Sequence, residues 1–522
     1  MRSSDTKTEI QCGQAGTVYL VGAGPGDPGL ITVKGLERIR NADVIIYDYL
    51  ADERLIQEAK PGAELIYVGK KGGDHTLEQP KINELLVRKA EEGKKVARLK
   101  GGDPYVFGRG GEEAEILAAA NIPFEVVPGV TSAVAAPAYA GIPVTHRDHA
   151  SMVTFITGHE DPTKRDSAID WDVLAHNPGT LVFLMGVKNL SNISSSLIER
   201  GKSSDTPAAL IRWGTTPRQI SVTSTLGEIH AEAQRKGISA PAVLVVGSAV
   251  SLYDKLGWFE RKPLFGQRIL VTRSREQSRK MAESINEMGG EAVLFPTIRI
   301  LPPLDFSPLD NAIQRISTFH WLVFTSVNGV EHFFRRFHEL REDIRDMAGP
   351  RIAAIGPITA RALRERGLRV NRLAEEFTAE GLLALFLRDD VSGKRFLIAR
   401  AEKARDVLPQ SLTDLGGHVE VVAVYRTVQP EDAETGKVRK ILEEKLVDAV
   451  TFTSSSTVTH LIGMLGDNDA LRLLDGIIVA SIGPVTSQTL KANGLPVHVE
   501  AAKYTIDGLL EALANHFKSL HE

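Results

Sequence analysis

Residues Val18 to Val21 supply the apolar run of a strand covered on both faces, and Gly22-Ala-Gly-Pro-Gly-Asp27 breaks it into a glycine turn. A dinucleotide fingerprint is the ordinary reading of such a turn. Pro25 and Asp27 argue against it, because a carboxylate here repels the pyrophosphate that a glycine turn and a helix N-terminus attract. A cofactor without phosphate, of cationic character, suits it better. Asp48 follows the run Val44-Ile-Ile46 at a strand end, where open α/β sheets bind ligands, although a turn-making aspartate reads equally well. Lys70, in the loop Gly69 to Gly73, is a solvated charge or an anion contact. The stretch Lys100 to Glu113 interleaves Asp103 and Arg109 with glycines whose chain entropy is too costly for a mere connection, so it reads as binding surface. His146, Arg147 and His149 form a polar, partly cationic wall; metal binding is conceivable, but no second ligand cluster accompanies them.

The elements that hold these residues alternate. Leu30, Val33, Leu36 and Ile39 have helical spacing and lead into the strand at Val44, which makes a βαβ opening. Further short apolar runs at Ile66 to Val68, Val96 to Leu99 and Val126-Val127 each end in a glycine turn, the last opening through Thr131 and Ser132 into a helix.

The second half contains a repeat. Arg268 to Ser274 aligns with Arg395 to Ala401, Leu322 to Ser326 with Val450 to Ser454, and Ile352 to Thr359 with Val479 to Thr486. The offset stays at 127 or 128 residues throughout. Constant spacing over three blocks implies two copies of one α/β unit, too large for a solenoid repeat, and two similar lobes imply a cleft. Each Phe-Thr-Ser block ends a strand, and each Ile-Gly-Pro-x-Thr block precedes a helical pattern, from Ala360 and from Gln488. Strand ends bearing Ser and Thr beside helix N-termini suit carboxylates. For Thr325 and Thr453, helix capping is an equal alternative.

With 522 residues, the chain is too long for one core. A hydrophobic content of 43% and a net charge of -4 exclude the global basic excess of a nucleic-acid binder, so anionic ligands must meet local basic clusters. The single cysteine, Cys12, rules out an intramolecular disulfide and makes a cytoplasmic location the expectation. No apolar signal core or membrane-length apolar run is evident.

In order along the chain, Val21-Gly-Ala-Gly-Pro-Gly-Asp27, Arg98-Leu-Lys-Gly-Gly-Asp-Pro104, Phe107-Gly-Arg-Gly-Gly-Glu-Glu113, Val127-Pro-Gly-Val-Thr-Ser132 and Gly141-Ile-Pro-Val-Thr-His-Arg-Asp148 closely resemble uroporphyrinogen-III C-methyltransferase. Leu322 to Gly329, Ala354-Ile-Gly-Pro357, Val422-Ala-Val-Tyr-Arg-Thr427 and Ser481-Ile-Gly-Pro-Val-Thr486 resemble uroporphyrinogen-III synthase. The resemblance implies an α/β protein: a two-lobed tetrapyrrole methyltransferase fold followed by a two-lobed, internally duplicated parallel α/β synthase fold. It places the methyltransferase at 17–258 and the synthase at 267–522; the polar residues 1–16 read as a loose N-terminus, and 259–266, with the turn signals of Pro263 and Gly266, as a linker. The synthase lobes would be 267–298 plus 427–522, and 299–426.

The same resemblance implies that S-adenosylmethionine, without metal, contacts Pro25, Gly101, Gly102, Asp103, Val106, Thr131, Ser132, Met185 and Gly214. Asp48 and Lys70 match positions with acid/base roles, and Arg109 one assigned a proton, although holding substrate carboxylates suits an arginine better. His146, Arg147, Thr325, Ser326, Thr453, Ser454 and Thr486 are the expected substrate contacts. Tyr425 matches a tyrosine that assists loss of a hydroxyl, but it lies in the connecting segment and packs there on the alternative reading. The implied chemistry closes hydroxymethylbilane to uroporphyrinogen III with loss of water, then methylates it twice to precorrin-2 through precorrin-1. Expected partners are these tetrapyrroles, with no nucleic acid and no membrane; the oligomeric state is open, a homodimer through the methyltransferase being the candidate. The alternative is a later-corrinoid methyltransferase joined to a non-catalytic tetrapyrrole-binding module.

Overall fold

A computed structural model describes residues 15–69, 77–159, 168–374, 379–387, 391–404, 406–428 and 435–521. The chain forms two compact units, Met1–Gly266 and Gln267–Glu522.

The first unit holds two five-stranded sheets. Strands β1 (Val18–Gly22), β2 (Val44–Tyr47), β3 (Glu64–Tyr67), β4 (Val96–Lys100) and β5 (Phe124–Val127) are all parallel, in the order β3-β2-β4-β1-β5. The central strands are apolar on both faces because helices cover both sides, as parallel sheets require. Strands β6 (Val153–Thr157), β7 (Thr180–Leu184), β8 (Pro207–Arg212), β9 (Ile220–Thr225) and β10 (Ala242–Val246) form a mixed sheet ordered β6-β7-β10-β8-β9, with only β6 and β7 parallel.

Two local expectations change in the first unit. The opening helix spans Val33–Asn41, and its buried positions are Gly35 and Ile39; Val33 is exposed. Gly35 sits against β1, where a Cβ would lie 3.1 Å from Val21, so close helix approach replaces one tooth of the apolar stripe. The segment read as a linker at 259–266 is packed instead. Phe259 is buried against Tyr139, Trp258 and Phe265, and Glu260 accepts hydrogen bonds from Gln219, Ser221 and Tyr253. Aromatic burial outweighs the turn signals of Pro263 and Gly266 there.

The second unit also holds two sheets. One runs β12-β11-β19-β20-β21, from β11 (Arg268–Val271), β12 (Glu291–Leu294), β19 (Ala449–Phe452), β20 (Ile478–Ser481) and β21 (Val499–Glu500). The other runs β13-β18-β17-β14-β15-β16, from β13 (Arg299–Leu301), β14 (Trp321–Phe324), β15 (Arg351–Ala354), β16 (Arg372–Leu373), β17 (Arg395–Ala401) and β18 (His418–Val428). All pairings are parallel except β13 with β18. Under the sequence repeat, β11 corresponds to β17, β19 to β14 and β20 to β15, and these strands take the same relative order in the two sheets. Each sheet therefore combines the leading strands of one copy with the trailing strands of the other. The crossing segments meet in the antiparallel pair Arg299 to Leu301 with Arg426 to Val428.

Candidate functional site

In the first unit the ends of β4, β1 and β5 press their glycines together. A Cβ on Gly22 would fall 2.5 Å from Gly129 Cα, and one on Gly129 would fall 2.3 Å from the Gly102 carbonyl oxygen. Only glycine permits that approach. Gly24 and Gly102 exchange backbone hydrogen bonds of 2.7 and 3.2 Å, both at positive φ. Asp103 locks the loop: Oδ1 accepts from Tyr105 N at 2.8 Å and Val106 N at 3.1 Å, and Oδ2 from Gly129 N at 3.0 Å. Thr131 caps the helix Ser132–Tyr139, accepting from Ala133 N.

Gly214 is wedged on that same helix, where a Cβ would stand 2.4 Å from Ala136 Cβ, between Trp213 and Thr215, both at positive φ. Thr215 Oγ1 accepts from Asp27 N at 3.0 Å, which brings the Pro25 turn against the 213–216 segment. The structure thus gathers Pro25, Gly101, Gly102, Asp103, Val106, Thr131, Ser132 and Gly214. Met185, half exposed at positive φ, follows β7.

Asp27 also has a structural role. Its carboxylate caps the turn Pro28–Leu30 by accepting from Gly29 N at 2.8 Å, and it accepts from Tyr139 Oη at 2.6 Å. Burial, together with this hydrogen bond to a carboxylate, pushes the Tyr139 hydroxyl well above its ordinary pKa. Asp27 thereby fastens the turn to the helix Ser132–Tyr139.

Asp48 leaves β2 with Oδ1 accepting from Leu50 N at 3.1 Å and Oδ2 3.4 Å from Arg98 Nη2. A Cβ on Gly101 would meet Leu50 at 2.5 Å, so the Asp48 turn borders the glycine loop. Lys70 lies outside the described residues. Arg109, at positive φ, is exposed and forks onto Glu112, Nε to Oε1 at 2.9 Å and Nη2 to Oε2 at 2.7 Å. The Glu112 hydrogen bond raises its pKa further, which suits a carboxylate holder rather than a proton acceptor. His146, Arg147 and His149 stand on a tight turn closed by the His146–Ala150 bridge, with the two imidazoles 5.0 Å apart. Among the described residues no hydrogen bond joins this turn to the glycine cluster, and no group of three or more His, Cys, Asp or Glu is arranged to hold a metal.

In the second unit the serines make the caps. Ser326 accepts from Gly329 N at 3.0 Å to start the helix Val327–Leu340, and Ser454 accepts from Thr457 N at 3.4 Å to start Ser455–Leu465. Thr325 and Thr453 precede the caps, which removes capping as their role. The Ile-Gly-Pro blocks begin their helices at Pro357 and Pro484, earlier than the apolar pattern suggests, because proline is preorganised for the first helical position. Thr486 is buried in the second of these.

Tyr425 belongs to β18 and not to a free connector. The register between β17 and β18 shifts so that Ala401 pairs with Tyr425 after Arg400 has paired with Ala423. This bulge lets the consecutive residues Val424 and Tyr425 both turn inward, a re-aiming that alternation alone forbids. Tyr425 Oη lies 3.2 Å from Ser326 Oγ. Burial raises its pKa, against the lowering pull of hydrogen bonds with Ser326 and Asn328.

The sequence reading missed a buried ionic group: Arg98 and Lys100 of β4, with Glu113. Its signal was present as two cations spaced i, i+2 in an otherwise apolar strand.

Comparison with known proteins divides the chain in the same order. The family model for tetrapyrrole (corrin/porphyrin) methylases matches residues 17–230, and that for uroporphyrinogen-III synthase HemD matches residues 279–511. The porphyrin biosynthesis protein HemD of Ruminiclostridium josui is 41% identical over 499 residues, which cover 95% of this chain and 97% of that protein. A uroporphyrinogen-III C-methyltransferase of Bacillus subtilis is 44% identical over 359 residues, 69% of this chain and 73% of that one. The S-adenosyl-L-methionine-dependent uroporphyrinogen III methyltransferase of Methanosarcina barkeri is 57% identical over 245 residues, 47% of this chain and 96% of its own.

Proposed function

Because this chain belongs to the family of proteins that join a tetrapyrrole methylase to a uroporphyrinogen-III synthase, we propose that it closes hydroxymethylbilane to uroporphyrinogen III and then methylates that product twice, to precorrin-2. The carrying observation is that both family matches lie on one chain that aligns with a single relative over 95% of its length. The alternative of a later-corrinoid methyltransferase with a silent binding module is less favoured, since relatives matched over the first unit include uroporphyrinogen-III methyltransferases at 44% and 57% identity.

S-adenosylmethionine, as co-substrate, supplies an electrophilic methyl group that requires no metal activation. The first unit fits it: a Cβ on Gly102 would have no neighbour nearer than 3.8 Å, at Ser132 N and Thr131 Cα, which leaves space for a ligand beside the start of the helix Ser132–Tyr139. Pro25, Gly101, Gly102, Asp103, Val106, Thr131, Ser132, Met185 and Gly214 are its proposed contacts. Asp48 and Lys70 are the proposed acid/base pair, and Arg109, His146 and Arg147 take substrate carboxylates. Orientation of the two reactants supplies most of the acceleration, on the order of 7–11 kcal/mol. A homodimer through the first unit and a cytoplasmic location, the latter motivated by Cys12 as the single cysteine, complete the proposal.

In the second unit, departure of the substrate's hydroxyl as water leaves a cation delocalised within the substrate. Tyr425, its proton retained by burial, is the proposed donor to that hydroxyl. Thr325, Ser326, Thr453, Ser454 and Thr486 share the carboxylates with the helix N-termini they adjoin.

The test is an anaerobic incubation of the purified chain with hydroxymethylbilane and S-adenosylmethionine, followed by mass and isomer analysis. Dimethylated type III product is expected. Methylation of added uroporphyrinogen III with only type I isomer from the linear substrate would retire the synthase half, and the converse would retire the methyltransferase half. Activity lost to chelators and restored by a divalent ion would overturn the metal-free reading.

A further inference from the structure

Strand β4 is buried along its length; Val96, Ala97 and Leu99 are apolar, yet Arg98 and Lys100 are only 3% and 4% exposed. Their common partner is Glu113, fully buried on the helix Gly110–Ala119. Glu113 Oε1 accepts from Lys100 Nζ at 2.8 Å, Gln79 Nε2 at 3.1 Å and Arg98 Nε at 3.2 Å. Its Oε2 is buried with no hydrogen-bond partner among the described residues. The Arg98 fork continues past Glu113: Nη1 donates to Leu99 O at 3.1 Å and Ile46 O at 3.5 Å, and Nη2 faces Asp48 Oδ2 at 3.4 Å. Since Leu50 N holds Oδ1, both oxygens of Asp48 are fixed, one by its own turn and one from β4.

As a source of stability this group is a poor choice. Buried ion pairs generally do no better than apolar residues of like volume, and an unmet acceptor makes the balance worse. What the group does achieve is geometric: it joins the ends of β2 and β4 and runs from Asp48 to the residue that begins the Gly101-Gly102 loop.

We infer that Arg98 is a positioning residue that aims the Asp48 carboxylate at the tetrapyrrole, with Glu113 and Lys100 anchoring it from behind. The inference rests on the reading of Asp48 as an acid/base group for methylation. Arginine is required because its planar fork reaches Glu113 and Asp48 together, which a lysine ammonium does not.

The test is a double-mutant cycle in the full chain with Asp48→Asn, Arg98→Lys and the pair, following kcat and KM for methylation of uroporphyrinogen III, S-adenosylmethionine affinity by calorimetry, and thermal unfolding. Asp48→Asn should lower kcat by about 10²-fold. Arg98→Lys, which keeps a cation beside Glu113, should lower it by about tenfold through misplacement of Asp48, with cofactor affinity changed less than about twofold. In the Asp48→Asn background the Arg98 substitution should then cost nothing further. Multiplicative losses in the double variant would overturn the inference and leave the Asp48 reading standing. No loss in Asp48→Asn would instead overturn the parent reading, and a loss in Arg98→Lys alongside it would show that Arg98 acts elsewhere. Should Arg98→Lys fail to fold, Arg98→Met with Glu113→Gln removes one charge of each sign and carries the same cycle.

Discussion

The two units build their proposed sites from different materials. In the first, backbones at strand ends are pressed so close that Gly22 and Gly129 exclude any side chain, Gly102 turns at positive φ, and buried charges brace the turn beside them. In the second, strand ends carry hydroxyls and the serines among them cap helices. The contrast follows the chemistry each must support. Methyl transfer between two bound molecules demands fixed geometry, whereas a cation generated within the substrate needs its carboxylates held and little else. A rigid backbone site should fail on one substitution; a hydroxyl site should decline by degrees.

The sharpest break between the units is expected at Gly129→Ala. The new methyl meets backbone on two sides, at Gly102 O and Gly22 Cα, so no flexible side chain can yield. Overpacking should cost the first unit about 1–3 kcal/mol, and displacement of the Gly102 loop should weaken S-adenosylmethionine binding by on the order of 10²-fold. Calorimetry and a thermal melt read both, with closure of hydroxymethylbilane retained. Cofactor affinity within about threefold of the parent would show that the close approach does not shape the site.

A smaller effect is expected from the hydroxyls of the second unit. Ser326→Ala or Ser454→Ala alone should lose a cap, about 1 kcal/mol, and reduce type III formation by about tenfold at most. The two together should be severe. If Tyr425→Phe, still folded, abolished type III product while both serine variants stayed near normal, a single essential acid would replace shared recognition and the contrast between units would collapse.

Smaller again is a pH effect confined to the first unit. Tyr139 has its folded pKa raised above the ordinary 10.0, first by burial and next by the hydrogen bond to Asp27. The folded state therefore holds its proton more tightly than the unfolded chain, and that stabilisation is complete below about pH 10 and lost as pH climbs toward the folded value. Melting curves should show an alkaline decline that flattens in Tyr139→Phe. An unchanged alkaline limb would remove the Asp27–Tyr139 bond from the account.

The least effect is expected where glycine is not part of a site. Gly463, exposed inside the helix Ser455–Leu465, and Gly111, inside Gly110–Ala119, have nothing within 4 Å of a built Cβ. Alanine at Gly463 should stabilise the second unit by about 0.5–1 kcal/mol, and Gly111→Ala should be neutral or mildly favourable, with both activities kept. Loss of methylation in Gly111→Ala would mean that glycine intolerance in the first unit extends beyond close backbone contact.

Much of this organisation is written in local sequence. Apolar runs ending in glycine turns located β1, β4 and β5, the run before Asp48 located β2, and the ordered motifs identified the family that the comparisons then matched. The repeat located β11, β14, β15, β17, β19 and β20 by constant offset, because each block is a strand with its following turn and needs only neighbouring residues to be recognised. The clustering of Pro25, Asp103, Thr131 and Gly214 came from resemblance and not from spacing, since these residues are far apart along the chain.

Other features depend on contacts between distant segments, and no window of sequence contains them. Which strand of each copy joins which sheet is decided by pairing across the chain, as β11 with β19 shows. The bulge that turns Tyr425 inward exists only against β17, and the burial of Phe259 draws on the distant Tyr139. The fate of Asp27, Arg98 and Glu113 was beyond reach for the same reason: a charge in sequence has a sign, but its partner, its burial and its orientation come from whatever the fold brings to face it.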